Sequence, residues 1–283
     1  MLKDYLRLIR LDKPIGTLLL LWPTLWALVV AGNGKPPLII TVVFGLGVFL
    51  TRSAGCIIND YADVKFDRYV QRTKNRPLAS GAISKKSALY LFICLSLLAL
   101  GLAVAGLKLT TLFLSLPALA ILVTYPLMKR FFAFPQAYLG IAFSFGILMA
   151  FVELVGKLNL LAYLLFAANL MWVLGYDTIY AMIDKEDDLR IGMKTSAITM
   201  GRYVVQFVAA CYVGFVLILV GFGIVVGAGL AYWLTLGVAI GLLSYQIYFI
   251  ASKSPRYYLA MFQLNNWVGG SIFLGIMSNY LMA

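Results

Sequence analysis

Apolar runs of about 20 residues, the length a helix needs to cross the hydrocarbon core of a bilayer, follow one another along nearly the whole chain, with short polar stretches between them. The pattern predicts nine spans, near 16–32, 37–58, 86–106, 109–128, 135–154, 158–182, 203–225, 229–250 and 265–282. The eighth connection, "ASKSPRYYLAMFQLNN", is the least distinct break. The expected fold is therefore all-α: an integral membrane bundle of nine transmembrane helices, forming a single domain over residues 1–283.

Composition agrees with a membrane location. Of the 283 residues, 63% are hydrophobic and 12% charged, and a soluble domain would carry roughly twice that charged fraction. There is no histidine, which excludes histidine triads, histidine metal sites and haem ligation by histidine. Cys56, Cys94 and Cys211 lie far apart in apolar surroundings, without a ligand or redox spacing. The opening "MLKDYLRLIRLDKPIG" has neither the short apolar core and small-residue cleavage site of a signal peptide nor the composition of a transit peptide. A bacterial inner-membrane protein is expected.

Charge orients the spans. Nineteen cations fall on one side, in the N-terminal segment (Lys3, Arg7, Arg10, Lys13) and the even-numbered connections, while the other side holds only Lys35, Lys108 and Lys157. The positive-inside bias puts the N-terminus and the even connections in the cytoplasm, and nine spans leave Ala283 outside. The net charge of +12 is thus an orientation signal, and no nucleic-acid partner is needed to explain it.

The acidic residues are concentrated. Eight of eleven fall in two windows, "NDYADVKFD" at 59–67 and "YDTIYAMIDKEDD" at 176–188. Asn59, Asp63 and Asp67 recur every four residues, with Asp60 beside them, so on a helix they form one stripe drifting about 40° per step. Asp177, Asp184 and Asp188 share a face at steps of seven and four. Both windows end spans on the cytoplasmic side, and each is followed by a cationic loop and a similar phrase, "SGAIS" at 80–84 and "TSAIT" at 195–199. This is a weak internal duplication into two halves, an arrangement that often places a site at the repeat interface.

A single charged helix end is ordinarily a solvated face. Two on the same side, at helical spacing, point to a site. Hard oxygen ligands on facing helices suit Mg²⁺, which shares its shell with phosphate oxygens, and Arg68, Arg72, Lys74 and Arg76 could hold the remaining phosphate charge. Carboxylates, a divalent cation and guanidinium groups together describe a diphosphate site, where carboxylates alone would suggest a cation channel. Arg52, seven residues before Asn59 on the same face, is either functional or a snorkelling side chain. Tyr125 and Lys129, one turn apart, taken alone read as an interfacial anchor.

These residues are also familiar as a set. "NDYADVKFD" matches the NDxxDxxxD pattern of the UbiA superfamily of intramembrane prenyltransferases, and "YDTIYAMIDKEDD" resembles its second aspartate-rich motif. "RLDKPIGTLLLLWPTLWAL" and "NRPLASG" resemble the branch that prenylates 4-hydroxybenzoate. The resemblance covers nearly the whole chain, with no departure in either acidic motif. It implies a nine-helix bundle around a central cavity beneath a cytoplasmic cap. It also implies Mg²⁺-dependent transfer of a polyprenyl group from polyprenyl diphosphate to the ring carbon ortho to the hydroxyl of 4-hydroxybenzoate, in ubiquinone biosynthesis. Carried over residue by residue, Asn59, Asp63 and Asp67 would hold one Mg²⁺, and Asp184 and Asp188 another. Arg72 and Lys129 would bind the diphosphate with Tyr125 beside it, Asp177 would be a polar wall, and Arg10 or Lys13 would meet the aromatic carboxylate.

Three alternatives compete. The CDP-alcohol phosphotransferases also set aspartates and Mg²⁺ at a membrane face, but in one compact Gly- and Ala-Arg-containing motif that is missing here. A cation-coupled transporter would carry its carboxylates near the midplane, beside broken helices. Menaquinone, haem and chlorophyll branches of the superfamily share the acidic motifs, and only the N-terminal phrase favours hydroxybenzoate over them.

Overall fold

The computed structural model describes residues 2–252 and 254–281. Lys253, counted above among the cytoplasmic cations, and Ala283, expected outside, lie beyond the described residues. In chain order the helices are α1 (Leu2–Leu8), α2 (Ile15–Ala31), α3 (Leu38–Asp67), α4 (Lys85–Gly106), α5 (Leu109–Phe131), α6 (Pro135–Val155), α7 (Leu160–Ile183), α8 (Lys185–Arg190), α9 (Ser196–Met200), α10 (Val204–Val225), α11 (Leu230–Ala251) and α12 (Pro255–Leu281). Among the described residues there is no β-strand.

Among the described residues, seven helical segments are long and apolar enough to cross a membrane, with α9 and α10 counted as one. The remaining two predicted spans are less clear-cut. Helix α2 is apolar but only 17 residues long, and α12 has 27 residues but carries Arg256, Gln263, Asn265, Asn266 and Asn279 along its length.

Local sequence sets the ends. Ser84 caps α4 by accepting from the Ser87 amide, and Asn159 caps α7 by accepting from the Ala162 amide, each satisfying one of the free donors of a first turn. Pro135 opens α6, where a missing N–H costs nothing, and Gly156 closes it at φ 80°, a left-handed conformation that favours glycine. The repeated phrases diverge: Ser84 ends the first and caps a long helix, whereas Thr195 begins the second and caps the short α9.

Two elements differ most from their sequence-based boundaries. Helix α3 does not stop near residue 58 but continues to Asp67, so the first acidic stripe is held on a regular helix. The stretch read as the eighth connection is mostly the first turns of α12. Its polar residues mimic a loop in a hydropathy window, but two of them point into the bundle: Asn265 is fully buried and accepts from Trp172 Nε1 at 2.9 Å, and Asn266 accepts from Trp22 Nε1 at 2.9 Å.

Packing divides the molecule. Helices α2, α6, α7, α10, α11 and α12 enclose one large core, centred on Trp26, Trp172 and Phe215 with ring centroids 5.3 to 6.4 Å apart. Small residues let these helices approach closely: a Cβ on Gly269 would fall 2.4 Å from the Trp22 ring, and the Gly269 carbonyl accepts from Trp26 Nε1. A smaller core joins α1, α3, the 68–84 loop and α4 through Leu8, Ile57, Val64, Leu78 and Ile83. Helices α4 and α5 barely touch each other and bury almost nothing. Their exposed Ile93, Leu98, Val104, Phe113 and Val123 would be an anomaly in water and are ordinary against lipid.

Candidate active site

A cavity of about 570 Å³ lies between the two halves, a size typical of small-molecule sites. One end is apolar, walled by Val43, Phe44, Leu100, Leu116 and Met149; the other is lined by Asn59, Asp63, Lys129, Asp184 and Asp188. Such a cavity suits a ligand with a hydrocarbon tail and an ionic head.

The polar end is built from the terminal turns of three helices and the loops that follow them. Helix α3 presents Asn59, Asp60, Asp63 and Asp67, the three aspartates being buried. Helix α5 runs past its predicted end to Phe131 and so carries Lys129 inward, with Nζ 3.4 Å from Asn59 Oδ1 and 3.5 Å from Asp63 Oδ2. The same ammonium lies 5.3 Å from the centre of the Tyr125 ring. Helix α7 ends at Asp184, whose backbone (φ −100°, ψ 7°) interrupts the helix before α8. The face expected to run unbroken from Asp177 to Asp188 is therefore bent. The Asp188 amide still donates to the Asp184 carbonyl at 2.8 Å, which keeps both carboxylates in the cavity wall alongside Asp177.

Arg72 joins the two acidic windows. It belongs to the loop after the first, yet its Nε donates to both Asp184 oxygens at 2.8 and 3.0 Å, its Nη2 also pairs with Asp184, and its Nη1 donates to the Tyr180 hydroxyl at 2.6 Å. The Gln71 amide reaches Asp187 at 3.1 Å. Two windows more than a hundred residues apart thus meet across one opening.

A second network was only partly legible. Asp60, 1% exposed, accepts from Arg10 Nη2 through both oxygens, at 2.7 and 2.8 Å, and from Arg76 Nη1 at 3.0 Å; Arg76 also pairs with Asp67 at 2.8 Å. Arg10 holds a left-handed backbone, φ 61°, which disfavours a residue with a Cβ; the ion pair with Asp60 offsets that cost. Arg10 lines the cavity, but its charge is already engaged. Lys13 is exposed and stands away from the cavity. Arg68 turns to the Ala79 carbonyl and Lys74 is exposed, so of the four cations proposed for phosphate only Arg72 and Arg76 face inward. Tyr180 escaped the sequence reading, although its place three residues after Asp177 and four before Asp184 puts it on their face.

The donor set fits a divalent cation. Asp63 Oδ1 is buried without a hydrogen-bond partner, a costly state for a carboxylate oxygen. Burial, with the neighbouring Asp184 charge adding to it, pushes the Asp188 carboxyl up to about 6, as expected of acids crowded together without a full complement of countercharge. Among the described residues no three acidic, cysteine or histidine side chains form a metal cage by themselves. That is compatible with Mg²⁺, which commonly takes one or two carboxylates and completes its shell with water and phosphate oxygens.

Comparison with known proteins gives a consistent answer. Residues 20–267 match the model of the UbiA prenyltransferase family. The chain is 52% identical to a 4-hydroxybenzoate octaprenyltransferase of Nitrosospira multiformis, over 99% of this chain and 97% of that one. It is 51% identical to the protein of that name from Neisseria meningitidis serogroup B, over 99% and 94%. Among solved structures, a UbiA homologue from Aeropyrum pernix superposes with a TM-score of 0.81 at 26% identity, covering 92% of this chain and 97% of its own. A homologue from Archaeoglobus fulgidus, bound to GPP and Mg²⁺, shares the fold at a TM-score of 0.76 and 18% identity, covering 99% of this chain and 100% of its own. The chain belongs to the UbiA prenyltransferase family.

Proposed function

We infer that the protein transfers a polyprenyl group from polyprenyl diphosphate to the ring carbon ortho to the hydroxyl of 4-hydroxybenzoate, releasing diphosphate, in ubiquinone biosynthesis. The observation that carries this is the meeting of two distant acidic windows, bridged by Arg72, at the polar end of a cavity whose other end is apolar. The names of relatives near 50% identity support the acceptor, and the ligands of the Archaeoglobus fulgidus homologue support a prenyl diphosphate and a divalent metal.

In this proposal Asn59, Asp63 and Asp67 hold one Mg²⁺, and Asp184 and Asp188 the other. The metal, when bound, supplies Lewis-acid neutralisation of the diphosphate charge. Arg72 and Lys129 add fixed positive charge at the leaving oxygens, stabilising the charge that develops there, and the Tyr125 hydroxyl lies beside them. The allylic C–O bond breaks with its electron pair going to diphosphate. The allylic cation is attacked by the electron-rich ring carbon, a C–C bond forms, and the proton on that carbon leaves. Asp177 remains a polar wall of the pocket, and the apolar walls of α3 to α6 keep water from the cation. The isoprenoid tail is as apolar as lipid, which accounts for a site opened inside a membrane bundle.

We place all nine long helices across the bacterial inner membrane as one domain, with the N-terminus, the 68–84 loop and α8 forming a cytoplasmic cap. The cation bias and the sharing of one cavity end by both acidic windows support that orientation. Cysteine-accessibility labelling should find residues 68–86 and 185–202 on the same face; opposite faces would overturn it. The activity is tested with purified protein, Mg²⁺, a polyprenyl diphosphate and a panel of aromatic acceptors. Prenylated 4-hydroxybenzoate is the expected product, and turnover of other acceptors alone would refute the assignment.

A further inference from the structure

Arg10 stands where a glycine would be expected. Just after α1 the Arg10 amide donates to the Arg7 carbonyl at 3.2 Å and the Leu11 amide to the Leu6 carbonyl at 3.0 Å. These are the paired bonds of a Schellman turn, and Arg10, at φ 61°, holds the left-handed position that glycine usually fills. A side chain kept there is strained locally, which points to a use elsewhere. It reaches Asp60 of α3, where Arg10 Nη2 donates to both carboxylate oxygens at 2.7 and 2.8 Å. At about 100° per residue, Asp60 lies some 20° around α3 from Asp67 but two turns, about 10 Å, along its axis. The two carboxylates therefore need a third group to connect them. Arg76 Nη1 does so, donating to Asp60 at 3.0 Å and to Asp67 at 2.8 Å. The result is a ladder of alternating charge, Arg10–Asp60–Arg76–Asp67, along the cavity wall. Its surroundings are pinned as well: the Asp67 carbonyl accepts from the buried Thr73 hydroxyl at 2.9 Å, and Arg7 Nη2 donates to the Asn75 carbonyl at 3.0 Å.

We propose that Asp60 and Arg10 are positioning residues for Asp67, holding Arg76 so that it orients the Asp67 carboxylate without neutralising it. This rests on the metal-dependent prenyl transfer proposed above, in which Asp67 holds a divalent cation. Asp60 shares the charge of Arg76, and Arg10 keeps Asp60 in place. Without Asp60, Arg76 would pair with Asp67 alone, and its whole charge would oppose a cation there. Partners that orient a ligating carboxylate commonly change metal affinity by roughly tenfold to a hundredfold. The ladder also separates Asp60 from its neighbours in the acidic window. Both of its oxygens are taken by guanidinium groups, whereas Asp63 Oδ1 has no partner. Arg10 then serves the metal end of the site and not the aromatic carboxylate.

The probe is Mn²⁺ alone, titrated into the purified protein and followed by electron paramagnetic resonance. Asp60→Asn, which keeps the shape and removes the charge, should weaken Mn²⁺ binding by roughly tenfold to a hundredfold, and Arg10→Gln should weaken it less. Because Arg10 acts through Asp60, the double variant should bind no more weakly than Asp60→Asn by itself. Arg10→Gly is the discriminating variant. It relieves the left-handed backbone, so it would improve a residue that served only the turn; here it should weaken Mn²⁺ binding as much as Arg10→Gln does. Arg10→Lys should recover part of the loss. In turnover, the Mg²⁺ concentration for half-maximal rate should rise in each variant while KM for 4-hydroxybenzoate stays unchanged. If Asp60→Asn does not fold, the Arg10 variants, which keep the Asp60–Arg76 pair, decide the matter. Wild-type Mn²⁺ affinity in Arg10→Gly, additive losses in the double variant, or no Mn²⁺ binding by the unaltered protein would overturn the proposal. Asp60-dependent Mn²⁺ binding without prenyl transfer by the unaltered protein would leave it standing and sink the prenyltransferase reading.

Discussion

The two halves of the bundle handle buried polar groups in opposite ways. In the packed half, neutral groups satisfy one another: Asn265 bridges Trp172 and Gln246, Tyr212 donates to Gln246 at 2.8 Å, and Asn169 donates to Ser144 at 2.9 Å. In the cavity half the buried groups are ionic, and they are held by long-range ion pairs such as Arg10–Asp60 and Arg72–Asp184. Atoms without partners occur in both, but they differ in kind. Asn169 Oδ1, Tyr176 Oη and Gln246 Nε2 belong to neutral side chains of the packed half; Arg52 Nε, Asp63 Oδ1 and Arg130 Nε belong to charged ones of the other. A missing bond on a neutral group costs a few kcal/mol at most, and one on a charged group costs more. The packed half is complete as folded. In the cavity half, Arg52 and Asp63 line the cavity with hydrogen-bonding capacity unfilled.

The largest effect should come from breaking the ionic half at its centre. Asp63→Ala and Asp184→Ala are each expected to reduce prenyl transfer to near background while the protein still inserts and purifies normally, and EDTA should do the same to the unaltered protein. Near wild-type rates in both variants would end the two-metal proposal.

Breaking the packed half should give the reverse pattern. Trp172, fully buried, stacked on Phe215 and tilted against Trp26, loses its core contacts and leaves Asn265 short of a donor when replaced by alanine. Trp172→Ala should cost about 3–5 kcal/mol in unfolding free energy measured in detergent. Asp63→Ala should cost much less by the same measurement, and a larger loss there would erase the distinction between the halves.

Arg72→Ala sharpens the comparison further. The guanidinium ties the two acidic windows together at the polar end of the cavity, the end proposed to hold diphosphate, so its loss should lower kcat/KM for prenyl diphosphate by roughly tenfold to a hundredfold, about 1.5–3 kcal/mol. KM for the aromatic acid should hardly move. The smallest effect is expected at Lys13, which is exposed and away from the cavity. Lys13→Ala should change stability by no more than about 0.5 kcal/mol and leave both KM values unchanged, as steady-state kinetics would show.

Much of the molecule could be read in one dimension. Apolar run length located the seven segments long and apolar enough to span among the described residues, because a chain in lipid must satisfy its backbone internally. Four-residue spacing alone put Asn59, Asp63 and Asp67 on one stripe, since helical periodicity depends on nothing else. Helix ends were less accessible. The continuation of α3 to Asp67 and the start of α12 at Pro255 depend on polar residues that are acceptable in a helix because distant parts of the chain supply their partners. Tertiary structure alone decided which cations serve the cavity. Arg10, Arg52, Arg68, Arg72, Lys74, Arg76 and Lys129 look equivalent as sequence. Only packing assigns Arg10 to Asp60, Arg72 to Asp184 and Arg68 to a backbone carbonyl, and leaves Arg52 alone in the cavity wall. A side chain's charge is a property of its residue type, but whether that charge is already neutralised depends on neighbours that fold in from other parts of the chain.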